Sequence, residues 1–518
     1  MTVVRNNIGL YLGKRAHLNP NLEAVVDPAT SRRFTYREID QRANRVANAM
    51  RSLGIKKGDR VALLLLNGVE YYESFLGLAK IGAVSVPLNW RLVADELAYI
   101  LKDSGAIALI YGGDFAEVVG EITSRSAAAT DIAHWIELSE GKDRDLFATE
   151  YEDFMAAGSP DEPENDAGDD DDLFIMYTSG TTGLPKGALH THNTMTWAVI
   201  TASNTADIRF RDRYSIALPM YHVGALEPVL NCIYLGCTVV FLRQFDPKVM
   251  WEITETEKIT ISLAVPAMLN FMLMVPDFQN YNISNLRWIL SGASPVPANL
   301  IETYKDIGIE IHQVYGLTEA GGPASLIGPD DAMTKIGSAG KAFFHTSIRV
   351  VDENGDDVAP GVPGEVLVSG AHIMKGYWNN PEATAEAIRD GWLYTGDIAL
   401  QDKDGFITIH DRVKDMIISG GENVYPAELE NVIMAHPGVA DVAVIGQPSE
   451  RWGESPIAVV VRKDYNISED NILRYCDGKL ARFKQPKGAV FVDEIPRNPT
   501  GKPLKRILRE QFPGPTRE

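Results

Sequence analysis

The sequence predicts an α/β protein in two domains. A large N-terminal domain, residues 1–411, is built of parallel-rich sheets packed with helices and carries a β-rich subdomain; a small α+β C-terminal domain spans residues 412–518. Three observations predict it. Apolar runs alternate with amphipathic stretches from early in the chain, the rhythm of βαβ units. From Ile348 onward short strands are separated by turn sequences. The last segment, about 100 residues after Asp411, mixes strands and helices and is long enough to fold on its own.

Taken in order, Arg60-Val-Ala-Leu-Leu-Leu-Leu reads as a strand, residues 71–81 as a helix, and Ala83-Val-Ser-Val-Pro-Leu as the next strand. The acidic run at residues 161–172 has no apolar periodicity and several breakers, so it is expected to be a solvated connector. The most apolar stretch, residues 261–275, is interrupted by Pro266 and Asn270 and is shorter than the roughly 20 residues a bilayer requires. A buried helix is expected there. Asp352-Glu-Asn-Gly-Asp356 and Asp402-Lys-Asp-Gly405 are the turns of the β-rich part.

Composition narrows the function. A length of 518 residues permits a large core, and 45% apolar and 23% charged residues are ordinary for a globular protein. A formal charge of −21 opposes binding to nucleic acid, because a polyphosphate would repel it. Cys232, Cys237 and Cys476 have neither disulfide nor metal-ligand spacing and are expected to be free thiols. The first residues lack the apolar stretch of a secretory signal, so a cytoplasmic location is expected. Arg209, Arg211 and Arg213 concentrate positive charge in an acidic chain. They are expected to be loop arginines paired with carboxylates, with peripheral contact to an anionic lipid surface as the other reading.

The chemistry starts at Leu173-Phe-Ile-Met-Tyr177, a buried strand that runs into Thr178-Ser-Gly-Thr-Thr-Gly-Leu-Pro-Lys-Gly187. Glycines let backbone N–H groups converge on an anion. Thr178, Ser179, Thr181 and Thr182 add hydroxyl donors, Gly180 and Gly183 the freedom, and Lys186 a cation. The order differs from the P-loop spacing, so a P-loop fold is not implied. Further along stand Gly292-Ala-Ser-Pro-Val-Pro297, Tyr315-Gly-Leu-Thr-Glu319, Tyr394-Thr-Gly-Asp397, Asp411-Arg-Val-Lys-Asp415, Gly420-Gly-Glu-Asn-Val-Tyr-Pro426 and Pro499-Thr-Gly-Lys502.

In this order, and across essentially the whole chain, these segments resemble the adenylate-forming superfamily of acyl- and aryl-CoA synthetases, luciferases and adenylation domains. The resemblance is strongest to bacterial fatty-acid CoA ligases. It implies an AMP-forming acid:CoA ligase that uses ATP, Mg²⁺ and coenzyme A on a small carboxylic acid, with a homodimer allowed. It also implies that the C-terminal domain is mobile. Thr178–Gly183, Lys186, Gly292, Ala293, Ser294, Gln313, Tyr315, Gly316, Thr318, Asp397, Arg412 and Lys502 would then bind nucleotide. Glu319 and Thr182 would hold the metal, and Lys502, Thr318, Glu319 and His222 would form the catalytic set. Lys414 is the implied hinge, and Gly420 and Gly421 would line the CoA tunnel.

Pro219-Met-Tyr-His-Val-Gly-Ala225 matches the segment beside the acyl pocket, making Tyr221, His222, Gly224 and Ala225 its candidates; a satisfied core histidine is the alternative for His222. Small Gly224 and Ala225 suit a medium- or long-chain fatty acid, with an aryl or arylpropenoic acid of the benzoate, coumarate or ferulate kind next. The rivals are an adenylation domain serving a carrier protein, although no carrier segment is expected here, a luciferase-like oxygenase, and a non-catalytic nucleotide-binding protein. The last would bind ATP without acid-dependent pyrophosphate release.

Overall fold

The computed structural model describes residues 6–124, 130–139, 141, 147–165, 167–178, 185–293, 296–412, 415–419, 422–449, 452–477, 479–480, 482, 484–497 and 503–514. Two large sheets dominate. In the first, the strands Glu310–Leu317, Trp288–Ser291, Ile261–Leu263, Arg213–Ile216, Thr238–Phe241 and Glu23–Asp27 run parallel, with antiparallel strands at both ends. In the second, Asp172–Thr178, Val84–Pro87, Arg60–Leu64, Ala108–Gly112 and His134–Leu138 are parallel, and Lys186–Thr191 closes one side antiparallel to Asp172–Thr178.

Strands covered on both faces need apolar residues at successive positions, and Arg60–Leu64 is buried at Val61, Ala62, Leu63 and Leu64. The helices Tyr36–Ser52, Val69–Lys80, His192–Thr205 and Val223–Leu235 lie between the sheets in one continuous core. The first is set by Thr35: its hydroxyl accepts from Glu38 N–H, and the Glu38 carboxylate accepts from Thr35 N–H, closing both ends of a capping box. The expected strand, helix and strand over residues 60–88 are observed as Arg60–Leu64, Val69–Lys80 and Val84–Pro87, with the two strands parallel.

The β-rich part is an antiparallel sheet of Ser347–Val351, Gly364–Ser369, Trp392–Gln401 and Ile407–Arg412. Its predicted turns close as Asx turns: Asp352 Oδ1 accepts from Asn354 and Asp356 N–H, and Asp402 Oδ1 from Asp404 and Phe406 N–H. From Ile417 on, a separate sheet with the helices Pro426–Met434, Glu469–Cys476 and Lys505–Gln511 has its own cores. All three cysteines are free and buried.

Two expectations are corrected. The apolar stretch at 261–275 is not one buried helix: Ile261–Leu263 is a strand, and Pro266 starts the helix Pro266–Leu273 at its first turn, where a missing N–H does no harm. Phe271 within that helix and Met274 at its end are exposed. The acidic run is more than a solvated connector. Glu162 joins Asp40 in neutralising the buried ammonium of Lys80, at 2.8 Å each, and Asp171 pairs with Lys57 at 2.7 Å. A buried cation needs such partners, and Glu162 supplies one from a carboxylate that itself stays exposed. Among the described residues no helix is long and apolar enough to cross a membrane.

Candidate active site

The second sheet carries the segment expected to bind phosphate. Asp172–Thr178 and Lys186–Thr191 are paired up to Thr178 opposite Lys186, so the glycine-rich loop springs from the end of a two-stranded ladder. Ser179, Gly180, Thr181, Thr182 and Gly183 lie outside the described residues. At the loop's base, Thr178 Oγ1 donates to Lys186 O at 3.4 Å, and Lys186 Nζ stands 5.4 Å from the centre of the Tyr377 ring. Tyr177, just before the loop, is fixed by its hydroxyl on Asp103 at 2.5 Å.

The first sheet carries the other segments expected to bind nucleotide, at the carboxyl ends of neighbouring parallel strands, where open α/β sheets bind ligands. A side-chain carbon on Gly292 would sit 2.2 Å from Val314 O, so only glycine lets these strands come so close. Ala293 follows in the left-handed region, φ 66°, and Ser294 lies outside the described residues. Gln313 Nε2 and Ser291 Oγ, opposite each other in register, are buried without a partner among the described residues. Tyr315 donates its hydroxyl to Asp397 Oδ2 at 2.8 Å, which joins two motifs 82 residues apart. Asp397 is held in turn by pairing of its strand with Arg412. A carbon on Gly316 would stand 1.7 Å from Gly322 O. Thr318–Ala320 forms a single 3₁₀ turn, in which Glu319 Oε1 accepts from the Tyr377 hydroxyl at 2.9 Å.

The acyl side differs. Tyr221 is buried, lies edge-on to Trp90 at 6.1 Å and rests against His222 at 4.4 Å; Trp90 stacks on Phe115 at 6.3 Å. Among the described residues neither the Tyr221 hydroxyl nor His222 Nε2 has a hydrogen-bond partner. Burial, helped by the nearby Arg91 charge, pulls the His222 imidazole down to about 3, and burial pushes the Tyr221 phenol up. Both groups are therefore neutral at physiological pH. A carbon on Gly224 would meet only Leu218 Cδ1, at 3.8 Å, whereas Ala225 is packed into the main core. One turn along the same helix, Glu227 accepts from Asn231, and burial raises its carboxyl to about 8.

Thr178, Lys186, Gly292, Ala293, Gln313, Tyr315, Gly316, Thr318, Glu319, Asp397, Tyr221, His222, Gly224 and Ala225 all lie within described segments, and Arg412 is described in its backbone pairing. Lys414, Gly420, Gly421 and Lys502 lie outside the described residues. The arginine triplet is largely paired: Arg209 with Asp207 at 2.7 Å, and Arg213 with Glu23 at 2.6 Å and Glu257 at 2.7 Å. Arg211 lies over the exposed Phe210 ring. Sequence reasoning did not single out Trp90, Tyr377, His190 or His372. Their partners are distant in the chain, so no local pattern marks them.

Among the described residues no cluster of three or more His, Cys, Asp and Glu could cage a metal. Mg²⁺ that arrives on a triphosphate requires only one or two carboxylates from the protein, and Glu319, oriented by Tyr377, fits that need.

Comparison with known proteins agrees with this geometry. Residues 12–378 match the family described as AMP-binding enzyme, and residues 428–502 match the AMP-binding enzyme C-terminal domain. The chain is 45% identical over 506 residues to the long-chain-fatty-acid–CoA ligase FadD13 of Mycobacterium tuberculosis, covering 98% of each. It is 40% identical over 507 residues to a feruloyl-CoA synthase of an Amycolatopsis species, covering 98% of this chain and 99% of the other. A solved Mycobacterium tuberculosis fatty acyl CoA synthetase superposes with a TM-score of 0.80 at 44% identity, covering 98% of each chain. The chain belongs to the AMP-binding enzyme family, the adenylate-forming class that its fold and motifs define. Within that class it is an AMP-forming acid:CoA ligase, an acyl-CoA synthetase.

Proposed function

We propose that the acid is a medium- or long-chain fatty acid, adenylated at its carboxylate and then transferred to coenzyme A. The observation that carries this reading is a pair of buried polar atoms, the Tyr221 hydroxyl and His222 Nε2, without a partner among the described residues and set beside the Trp90 ring, one turn from Gly224, where an added side-chain carbon would meet only Leu218 Cδ1. An apolar chain fills such a space, while a carboxylate satisfies the Tyr221 hydroxyl and His222. Likeness to FadD13 over nearly the whole chain supports it. An aryl or arylpropenoic acid is the second reading, favoured by the edge-on Trp90 and Tyr221 rings backed by Phe115 and by the likeness to a feruloyl-CoA synthase.

In the first half-reaction a carboxylate oxygen attacks the α-phosphorus of ATP, the bond to the β-phosphate breaks, and pyrophosphate leaves. Thr178–Gly183 and Lys186 cradle the phosphates, and Thr318 donates to one of them. Tyr315 flanks adenine and Asp397 accepts from the ribose hydroxyls, with Arg412 beside it. Gly292, Ala293, Ser294, Gln313 and Gly316 shape the nucleotide cleft. Glu319 and Thr182 would hold Mg²⁺, which neutralises phosphate charge when bound. Lys502 supplies the cation at the reacting phosphate. The C-terminal domain, residues 412–518, then turns about Lys414, and Gly420 and Gly421 admit the pantetheine arm. Its thiol attacks the acyl carbonyl and AMP leaves.

The test is a panel of saturated fatty acids of increasing length with ferulic and benzoic acids, following pyrophosphate and thioester with and without CoA, beside Lys502→Ala. Highest kcat/KM on the longer fatty acids, and loss of adenylation in the variant, are expected. Preference for ferulate would move the second reading ahead. Pyrophosphate without thioester would point to a carrier-protein or oxygenase relative.

A further inference from the structure

The short turn Thr318–Ala320 carries the two residues assigned above to phosphate and metal, yet its internal backbone bonding is slight. It is entered from extended Leu317 and left through Gly321 at φ 65° and Gly322 at φ 117°. Within it, Gly321 N–H bonds Thr318 O at 3.0 Å. A lone turn of this kind does not hold its shape without outside partners.

Those partners are present for every carbonyl of the turn. His190 Nε2 lies 2.8 Å from Thr318 O, Met374 N–H donates to Glu319 O at 2.8 Å, and His372 Nδ1 lies 2.8 Å from Ala320 O. A carbonyl can only accept, so each of these ring nitrogens carries its proton. The other nitrogen of each ring must then accept if the ring is neutral. Thr346 Oγ1 stands 2.8 Å from His372 Nε2 and can donate to it; Thr194 Oγ1 stands 3.1 Å from His190 Nδ1 and equally 3.1 Å from Thr191 O, so its one proton is shared between two acceptors, and it is the carbonyl contacts that set each tautomer. Both rings are fully buried, and burial pulls both imidazoles down, His190 to about 4.

The two donors come from segments that are themselves paired. His190 is on Lys186–Thr191, the strand leaving the phosphate loop; Gly376 and Tyr377 pair with Leu189 and Ala188 of that strand. The 372–377 segment thus delivers His372, Met374 N–H and the Tyr377 hydroxyl to one turn. There is no slack: a carbon on Gly321 would lie 3.1 Å from His372 O and 3.4 Å from His190 Cε1.

We propose that His190 and His372 are positioning residues for adenylation, two neutral imidazoles that clamp the backbone of Thr318-Glu319-Ala320 and tie it to the exit strand of the phosphate loop. The proposal rests on the assignment of Thr318 and Glu319 to phosphate and metal. Neither histidine touches substrate; each fixes the direction in which Glu319 and Thr318 point.

The test pairs variants that remove a donor with variants that restore one. His190→Phe keeps the ring that packs 5.1 Å from Phe174 but loses the N–H, while His190→Gln can place an amide N–H near the Nε2 position. His372→Phe and His372→Asn form the matching pair at Nδ1. With full-length protein, the Phe variants should lose kcat for acid-dependent pyrophosphate release by about tenfold and require more Mg²⁺, as a small misplacement of reacting groups does. Gln at 190 and Asn at 372 should recover most of the loss. AMP binding by calorimetry without metal should stay within about twofold, because adenine and ribose are held elsewhere. Histidine ¹⁵N spectra of the wild type should report a protonated Nε2 in His190 and a protonated Nδ1 in His372. Phe variants with unchanged kcat and Mg²⁺ dependence would overturn the clamp. So would losses that follow melting temperature alone, with no recovery in the amide variants. Glu319→Gln is the control for the underlying assignment: if it retains wild-type activity, that assignment fails, and if only it loses activity, the clamp alone fails.

Discussion

The turn Thr318–Ala320, assigned above to phosphate, and the segment around Tyr221 and His222, proposed for the acyl group, are built by opposite rules. Around Thr318–Ala320 each backbone carbonyl has a partner, Glu319 is hydrogen-bonded by Tyr377, and glycines stand where no side chain fits. Around Tyr221 and His222 two buried polar atoms have no partner among the described residues, and a carbon on Gly224 would meet only Leu218 Cδ1 at 3.8 Å. A buried polar group without a partner costs roughly 1–3 kcal/mol, so it persists where a ligand can satisfy it. Under the proposed assignment the turn beside the phosphates is closed by the protein itself, whereas Gln313 Nε2 and Ser291 Oγ on the neighbouring strands, like the Tyr221 hydroxyl and His222 Nε2, find no partner among the described residues and are left for ligands to satisfy.

That contrast can be broken at five places. The largest effect is expected at Gly316→Ala, whose new carbon would stand 1.7 Å from Gly322 O and must separate the Tyr315 strand from its neighbour. Adenylation should fall by about a hundredfold or more, as displaced reacting groups do. Wild-type pyrophosphate release would mean that the nucleotide side has slack after all. His222→Phe should come next. Loss of a neutral donor or acceptor at the carboxylate should reduce kcat/KM for the preferred acid by about tenfold while leaving KM for ATP within about twofold. An equal change in both would place His222 on the nucleotide side.

Tyr315→Phe removes the 2.8 Å bond to Asp397 and should weaken nucleotide binding by about 1.5–3 kcal/mol or less, the range for hydrogen bonds to charged groups. The matching substitution across the site, Tyr221→Phe, deletes a hydroxyl that has no partner among the described residues. It should raise the melting temperature of the ligand-free enzyme yet lower kcat/KM for acids. A fall in both would show that the hydroxyl is satisfied within the fold.

The smallest effect is a pH dependence. Burial raises the Glu227 carboxyl to about 8, opposed by Asn231, so the folded protein holds a proton that the unfolded chain releases near 4.3. Stability from this group is complete at acidic pH and is lost as pH rises through the interval up to about 8. Glu227→Gln should flatten the decline in melting temperature between about pH 5 and about pH 8. An unchanged slope would mean that Glu227 ionises normally beside the pocket.

Several parts were legible before any coordinates. The alternation over residues 60–88 became a βαβ unit because parallel strands buried on both faces must be apolar throughout. The Asp352 and Asp402 turns closed as read, because Asp bonds its own following backbone. Other parts misled. Pro266 looked like an interruption within one helix but is its first residue, since the strand before it ends in a sheet pairing that periodicity does not reveal. The 161–172 run looked solvated because its partner, Lys80, lies 82 residues before Glu162.

By itself the sequence determined the class of enzyme and the order of its motifs, because phosphate cradling, metal binding and turn formation depend on residue type and short spacing. Only the tertiary structure decided which groups share an atom-to-atom contact: Tyr315 with Asp397, Tyr377 with Glu319, and His190 and His372 with the two ends of one turn. Those pairings join residues 52 to 128 positions apart. Hydrogen bonds act over about 3 Å, so such partners exist only once two sheets have been packed together.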